Sequence, residues 1–322
     1  MFNKDNFIQY LNASSAAQEK LELKGKSLFT CMCLMCKLKY NGNWKEYKKR
    51  YSSLIHNLVI LQNRTKTILY PIIITSDFWN LFINFQLERG LCYSTATGNC
   101  TQLLSILDWS SKYGAEVSRS FRALDKYPYH VEQLALTPDE VSHIYHFDLN
   151  SVNLRADKRK NLERVRDTFV LACNLGQRYS DISRIDSSCF SGNMFQMISQ
   201  KTKMVSCVDI DEMCIDKDTV YKILKKYGYR CPYKSDVGNF NHSLKELIKM
   251  IGFKDMVQRQ VKVQGQIIDK SDYKYNLITS HTARRTFINI NIQRHKTSIE
   301  IRRATGHRTY FGYSKYLCYD AR

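Results

Sequence analysis

Four short clusters in the chain hold side chains whose types and spacing could do chemistry. LGQRYSD, residues 175–181, sets Arg178 just beyond a helix end, with Asp181 three residues on as a candidate brace. QKTK, residues 200–203, offers Lys201 at what reads as a hairpin turn, with Lys203 as a weaker rival. SHTARR spaces His281 and Arg284 three apart, which on a helix puts both on one face. TGHRTYFGYSKY places His307 after a glycine and Tyr316 nine residues later, with Tyr313 as the runner-up and Tyr310 and Tyr319 as further neighbours. Together these are the parts for chemistry on a phosphate ester. Arginine is planar, permanently charged and able to hold two non-bridging oxygens at once. Tyrosine is a nucleophile, and lysine or histidine moves the protons. Taken singly, each cluster has an ordinary reading. A lone arginine after a helix is a surface charge, a hairpin lysine is solvated, and one tyrosine among 21 is packing. The combination is what carries weight.

These residues need elements to position them. NLERVRDTFVLACNLG, residues 161–176, predicts a helix ending at Gly176, with Leu162, Val165, Phe169 and Cys173 as its apolar stripe. SSCF, MFQMIS and MVSCVDI, within residues 187–210, have strand character, with QKTK as the turn between the last two. Helical patterns return in DTVYKILKKYG and LKELIKMIG, before the SHTARR helix and a tyrosine-rich end. Upstream, Thr137-Pro138-Asp139-Glu140 is a capping box ahead of Val141, Ile144 and Tyr145, and it follows a proline-flanked stretch. That stretch sets a domain boundary near residue 130. Before it, TSDFWNLFINFQLERG predicts a helix with Phe78, Leu81, Phe82 and Phe85 on its apolar face. TATGNCTQLLSILDWSSKYG predicts another, with Leu103, Leu104, Leu107 and Trp109 inside. The basic stretch KEYKKRY at 45–51 reads, on its own, as a solvated helix face. The expected fold is mostly α with a small β-sheet (α+β): a helical domain over 1–130 and a second domain over 131–322.

Lys and Arg number 49 against 30 Asp and Glu, a net charge of +19, which on a globular composition points to a polyanion such as nucleic acid. Residues 1–134 carry a net +7 and residues 135–322 a net +12, so the charge is no basic tail on a neutral body. The arrangement fits two lobes that both touch phosphate. The 11 cysteines occur without a secretory signal or an apolar run long enough for a bilayer, and the expectation is a cytoplasmic protein with reduced thiols and no membrane association. Cys31, Cys33 and Cys36 lack a second ligand cluster at metal spacing and read as buried apolar residues. No phosphate-binding loop and no carboxylate pair is visible, so neither cofactor nor metal is expected.

In order along the chain, Arg178, Lys201, His281, Arg284, His307 and Tyr316 resemble the six signature residues of the tyrosine recombinases, the phage-integrase family. SHTARRTF resembles its histidine-arginine box, LGQRYSDI the box around its first arginine, and TGH its leucine-glycine-histidine box, with Thr305 in place of the usual leucine. The likeness spans about residues 70–322 and has the flavour of integrases from bacterial mobile elements. It implies a helical core-binding domain followed by a catalytic domain. Tyr316 would attack the scissile phosphate to give a 3′-phosphotyrosyl bond. Arg178 and Arg284 would hold the non-bridging oxygens, and Lys201 would protonate the leaving 5′ oxygen. His281 would assist proton transfer and His307 would hydrogen-bond the phosphate. Double-stranded DNA is the implied partner, in a synaptic homotetramer that accessory DNA-bending proteins assist. Integration, excision or inversion of a mobile element would be the outcome. Many members of the family carry a longer tail than the six residues after Tyr316 and dock it on a neighbouring subunit, and the resemblance does not extend to that mode of assembly. Two other readings share parts of this pattern: a catalytically silent DNA-binding accessory protein, and a type IB topoisomerase that nicks and rejoins one duplex. The full set of six argues against the first, and the small N-terminal domain against the second.

Overall fold

The computed structural model describes residues 23–118, 120, 134–263, 266–314 and 316, and of residues 259–270 the backbone alone. The stretch expected to link two domains, at 127–133, Tyr319, and the residues after Tyr316 lie outside the described residues. The chain divides into two compact units, Met1–His130 with Val261–Ile268, and Val131–Gln260 with Asp269–Arg322. No helix among the described residues is long and apolar enough to cross a membrane.

Among its described residues the first unit contains four long helices where the sequence pattern resolved two: α1 (Leu28–Lys39), α2 (Trp44–Thr65), α3 (Ser76–Glu88) and α4 (Tyr93–Lys112). Cys31, Cys33 and Cys36 are buried on α1, and desolvation pushes each of their thiols up. On α2 the basic stretch splits by face: Tyr47 and Tyr51 are buried, while Lys45, Lys48, Lys49 and Arg50 are exposed. Thr75 caps α3 as its position suggests, yet the buried face differs from the expected one. Trp79, Phe82, Ile83, Phe85 and Gln86 are inside, whereas Leu81 is half-exposed and Phe78 partly so. Trp79, Phe82, Ile83 and Gln86 recur at helical spacing and set the inner face, where the Gln86 side-chain oxygen accepts from Asn99 of α4 at 2.6 Å. Leu103, Leu107 and Trp109 are buried on α4, and Leu104 sits at the rim.

The second unit is built round α6 (Ala156–Leu175), which follows the shorter α5 (Pro138–His146). Both halves of the Thr137–Glu140 capping box are present on α5. Residues 167–175 of α6 are buried without a break, so this half of the helix is a core rod rather than an amphipathic surface helix. A short helix α7 (Tyr179–Ile182) leads into an antiparallel sheet of β1 (Phe190–Ser191), β2 (Met194–Ile198) and β3 (Val205–Asp209), in that order. Ile198 pairs with Val205, which sets Gln200, Lys201 and Thr202 at the turn. Helices α8 (Lys217–Lys226) and α9 (Val237–Ile251) follow. A hairpin of β4 (Met256–Val263) and β5 (Gln266–Tyr273), which the sequence pattern did not suggest, precedes α10 (Ser280–Gln293), α11 (Ser298–Thr305) and the one-turn α12 (Tyr310–Ser314). Helix α10 packs along α6, and α11 packs on β3.

Glycines in the left-handed region end α6 and α9. Gly176 caps α6 at φ 64°, and a Cβ there would stand 2.4 Å from the Phe287 ring of α10. Gly252 also has positive φ, at 102°, but open space around it. Conformational strain alone should therefore cost Gly252→Ala about 1 kcal/mol, whereas Gly176→Ala adds an overlap with a buried ring and should lose at least about 2 kcal/mol. Urea denaturation of the two variants checks this, and equal losses would mean that the α6–α10 contact yields easily.

Candidate active site

Arg284 lies on the first turns of α10 and is 0% exposed. Burial of so large a cation demands partners. Its Nη1 donates to the Gly176 carbonyl at 3.0 Å, an oxygen left unpaired because the helix has just ended there. Its Nη2 lies 3.0 Å from His307 Nε2 and 3.3 Å from Nδ1. Among the described residues no carboxylate pairs with it, and its Nε has no hydrogen-bond partner. Burial, then the Arg178 guanidinium, pushes its pKa down to about 9, while Tyr316 and Asp181 act the other way; it remains a cation at neutral pH.

The residues after α6 divide the work. Gly176 turns the chain, and Gln177 donates its amide to the Leu175 carbonyl at 2.7 Å and to the Ala304 carbonyl at 2.8 Å, joining the ends of α6 and α11. Arg178 then enters the site and donates from Nη1 to Ser199 Oγ at 3.2 Å. The expected brace from Asp181 is indirect. Ser199 Oγ donates to Asp181 Oδ2 at 3.0 Å, so the serine stands between them. Asp181 itself is fully buried and accepts from Arg184 at 2.9 Å and from the Gln200 backbone N–H at 2.8 Å. That second bond anchors the residue before Lys201. On the other side, Thr202 Oγ1 donates to the Gly306 carbonyl at 3.0 Å. Lys201 is thus an exposed side chain on a turn fixed at both flanks. Lys203 serves the turn with its backbone, at φ 57° with its N–H donating to the Ser199 carbonyl. The spacing of polar residues in the sequence gave no sign of Ser199, Thr202 or Gln177, because their partners lie 18 to 127 residues away.

His307 follows Gly306, the αL cap of α11 at φ 64°. A Cβ on Gly306 would stand 2.5 Å from Ser206 Oγ of β3, so this glycine is needed for close approach as well as for the turn. His307 is 7% exposed, and burial followed by Arg284, Arg178 and Arg302 pushes its pKa down to about 3. His281, at the open edge of the site, is also lowered, by loss of water round the ring and then by Arg285, Arg284, Arg178 and Lys201. Both imidazoles are neutral at physiological pH in the unliganded protein.

Tyr316 is half-buried, its ring 4.9 Å from that of His307, 6.3 Å from that of His281 and 5.5 Å from the Arg284 guanidinium carbon. Tyr313 is 3% exposed and packed in the core, where burial raises its pKa, and Tyr310 is on the surface. Arg178, His281, Arg284, His307 and Tyr316 therefore converge, with Lys201 on the adjoining turn near enough to act on His281 electrostatically. No group of three or more His, Cys, Asp or Glu suited to a metal ion occurs among the described residues.

The same architecture occurs in solved structures. A lambda integrase dimer bound to a COC′ core site matches 99% of this chain and 95% of its own, with a TM-score of 0.59 at 14% identity. The XerH site-specific recombinase, in a post-cleavage complex with a palindromic difH substrate, matches 98% and 85%, with a TM-score of 0.61 at 11% identity. The Tn1549 transposon integrase in complex with transposon right end DNA matches 90% and 95%, with a TM-score of 0.58 at 13% identity. The fold is that of the tyrosine recombinases. No family model and no curated protein matches the sequence.

Two outcomes test this geometry. Asp181→Asn removes the charge that Arg184, Ser199 and the Gln200 amide share, and should cost about 1–3 kcal/mol, the range for a weakened buried partner. Amide exchange at Gln200 should speed up more than exchange in β3; uniform acceleration would show that Asp181 supports the unit as a whole and not the turn. Stability should also depend on pH through His307. The folded protein resists protonating it, while the unfolded chain protonates near the ordinary value of 6.5. Its contribution is complete above that pH and is lost progressively as pH falls toward about 3. In urea melts at a series of pH values, His307→Asn should decline less steeply than the parent below pH 6.5. Identical slopes would place the acid sensitivity elsewhere.

Proposed function

We propose that the protein is a tyrosine-type site-specific DNA recombinase that cuts and rejoins strands through a 3′-phosphotyrosyl bond to Tyr316. One observation carries the reading. Among the described residues, Arg284 is a fully buried cation held by a carbonyl, a neutral imidazole and Tyr316 instead of a carboxylate, with no partner for its Nε–H and a second guanidinium nearby. Left alone, such a site is electrostatically costly, and an anion relieves it. A phosphodiester supplies two non-bridging oxygens for Arg178 and Arg284, and the Tyr316 ring lies beside the Arg284 guanidinium. In the reaction the Tyr316 oxygen forms a bond to phosphorus as the bond to the 5′ oxygen breaks. Lys201 gives that oxygen a proton, and the tyrosyl proton leaves with help from His281. The phosphotyrosyl ester keeps the energy of the broken linkage, so a new 5′-hydroxyl can reverse the steps without ATP or metal.

Duplex DNA is the partner this chemistry requires, and the net +19 charge supports it. The first unit would act as the helical core-binding lobe, with the exposed lysines of α2 among its phosphate contacts. Strand exchange between two sites needs four active centres. A lambda integrase of this fold forms a tetramer bound to a Holliday junction, and a homotetramer is proposed here, working in the cytoplasm with DNA-bending accessory proteins.

The test is a duplex site with a nick opposite the scissile phosphate, which lets the 5′ fragment diffuse away and traps protein on the 3′ end. The parent should accumulate adduct. Tyr316→Phe should bind the site and trap nothing, and Arg178→Lys or Arg284→Lys should slow trapping about 100-fold or more with little loss of binding. Adduct formation by Tyr316→Phe, or equal loss of binding and cleavage in the arginine variants, would overturn the assignment. Relaxation of a supercoil without joining of two duplexes would make the protein a topoisomerase instead.

A further inference from the structure

Thr305 stands where the family resemblance leads one to expect leucine, and its hydroxyl is part of the site. Thr305 Oγ1 lies 2.6 Å from the Ile301 carbonyl, the i−4 position to which a helical threonine donates. A hydroxyl has one hydrogen. With that hydrogen committed to Ile301, the Thr305 oxygen can only accept from His307 Nδ1, 2.8 Å away. Nδ1 therefore carries the imidazole proton, and Nε2 has a free lone pair. Arg284 does not choose between the tautomers: its Nη2 lies 3.0 Å from Nε2 and 3.3 Å from Nδ1, so it meets the ring between the two nitrogens and the choice falls to Thr305. The opposite tautomer would set a lone pair against the oxygen at Thr305 unless the hydroxyl gave up Ile301. Thr305 and Arg284 are 0% exposed and His307 7%, which leaves water little room to repair that mismatch. The αL turn at Gly306 brings residues 305 and 307 together, so the arrangement is local to this helix end.

We propose that Thr305 is a positioning residue that fixes His307 as the Nδ1–H tautomer, so that His307 receives Arg284 and aims its guanidinium at the phosphate. On this view Nε2 of His307 carries no proton in the free enzyme. A leucine at 305 could not impose that state, having no oxygen. The inference deepens the recombinase reading and rests on it for the identity of the anion.

The experiment uses the full chain, with the histidine ring nitrogens labelled with nitrogen-15 and His307 assigned from the difference with His307→Asn. Two-bond nitrogen–proton spectra distinguish the tautomers without reference to activity. The parent and Thr305→Ser should show Nδ1–H. Thr305→Val, which keeps the shape and loses the oxygen, should show a mixed or reversed pattern. It should also form adduct on the nicked duplex about tenfold more slowly, the equivalent of one lost hydrogen bond, with DNA affinity unchanged and the rate restored in Thr305→Ser. An Nε2–H signal in the parent overturns the proposal even if Thr305→Val proves unstable. So does a Thr305→Val protein with the parental tautomer and rate. If no form cleaves DNA, the recombinase reading fails on its own, and the spectra still decide the role of Thr305.

Discussion

A guanidinium withdrawn from water must have its donors met inside the protein, and the burial of Arg284 sets conditions on segments far from it in sequence. One donor needs a carbonyl that no helix is using, and the Gly176 oxygen qualifies because α6 ends at that residue, 108 positions away. Another needs a neutral ring nitrogen, supplied by His307, 23 positions on. Both partners depend on a glycine in the left-handed region at a helix end, each packed so closely that a methyl group would collide. The close packing of α6 against α10, and of α11 against β3, is in this sense the frame on which one cation is held.

Rigid and adaptable parts are kept apart. Arg178 and His307 follow the two helix ends that Gln177 joins, its amide bridging their terminal carbonyls, and Arg284 sits on the first turns of α10. Lys201 instead occupies a four-residue turn, tied by Gln200 to Asp181 and by Thr202 to Gly306. A proton donor that must reach a leaving oxygen gains from such a mount: its backbone is located, and its long side chain remains exposed and free to extend.

The electrostatics favour an arriving anion over any internal ion pair. The two histidines are held neutral, the first cause being burial or lost hydration and the second the surrounding cations. The buried carboxylate of Asp181 spends its oxygens on Arg184, Ser199 and a backbone amide. Its field reaches Arg284 without occupying that side chain's donors. An anion between Arg178 and Arg284 would offset the same repulsions that now depress the imidazoles, so binding should shift their proton affinity upward.

How much of this the sequence held can be judged residue by residue. Local rules with local partners were readable. The Thr137 capping box, the Gly176 helix end, the two longer strands and the QKTK turn all depend on neighbours within a few residues, and a pattern of types suffices to find them. SSCF, expected as a strand, is instead a 3-10 turn over Ser187–Cys189, with only Phe190 in β1. The pairing of a basic excess with two arginines, two histidines, a lysine and a tyrosine in family-like boxes likewise gave the class of chemistry. What depends on distant partners was not readable. Leu81 reads as a core residue by its type, yet the inner face runs through Trp79, Ile83 and Gln86, whose partner Asn99 lies on another helix. Asp181 is expected to touch Arg178, whereas Ser199, just beyond β2, intervenes. The choice of Tyr316 over Tyr313 was only a matter of spacing until the fold buried one ring in the core and laid the other beside Arg284 and His307. The tautomer of His307 rests on where one threonine hydrogen points, and that is decided by the helix geometry which brings the Ile301 carbonyl to it.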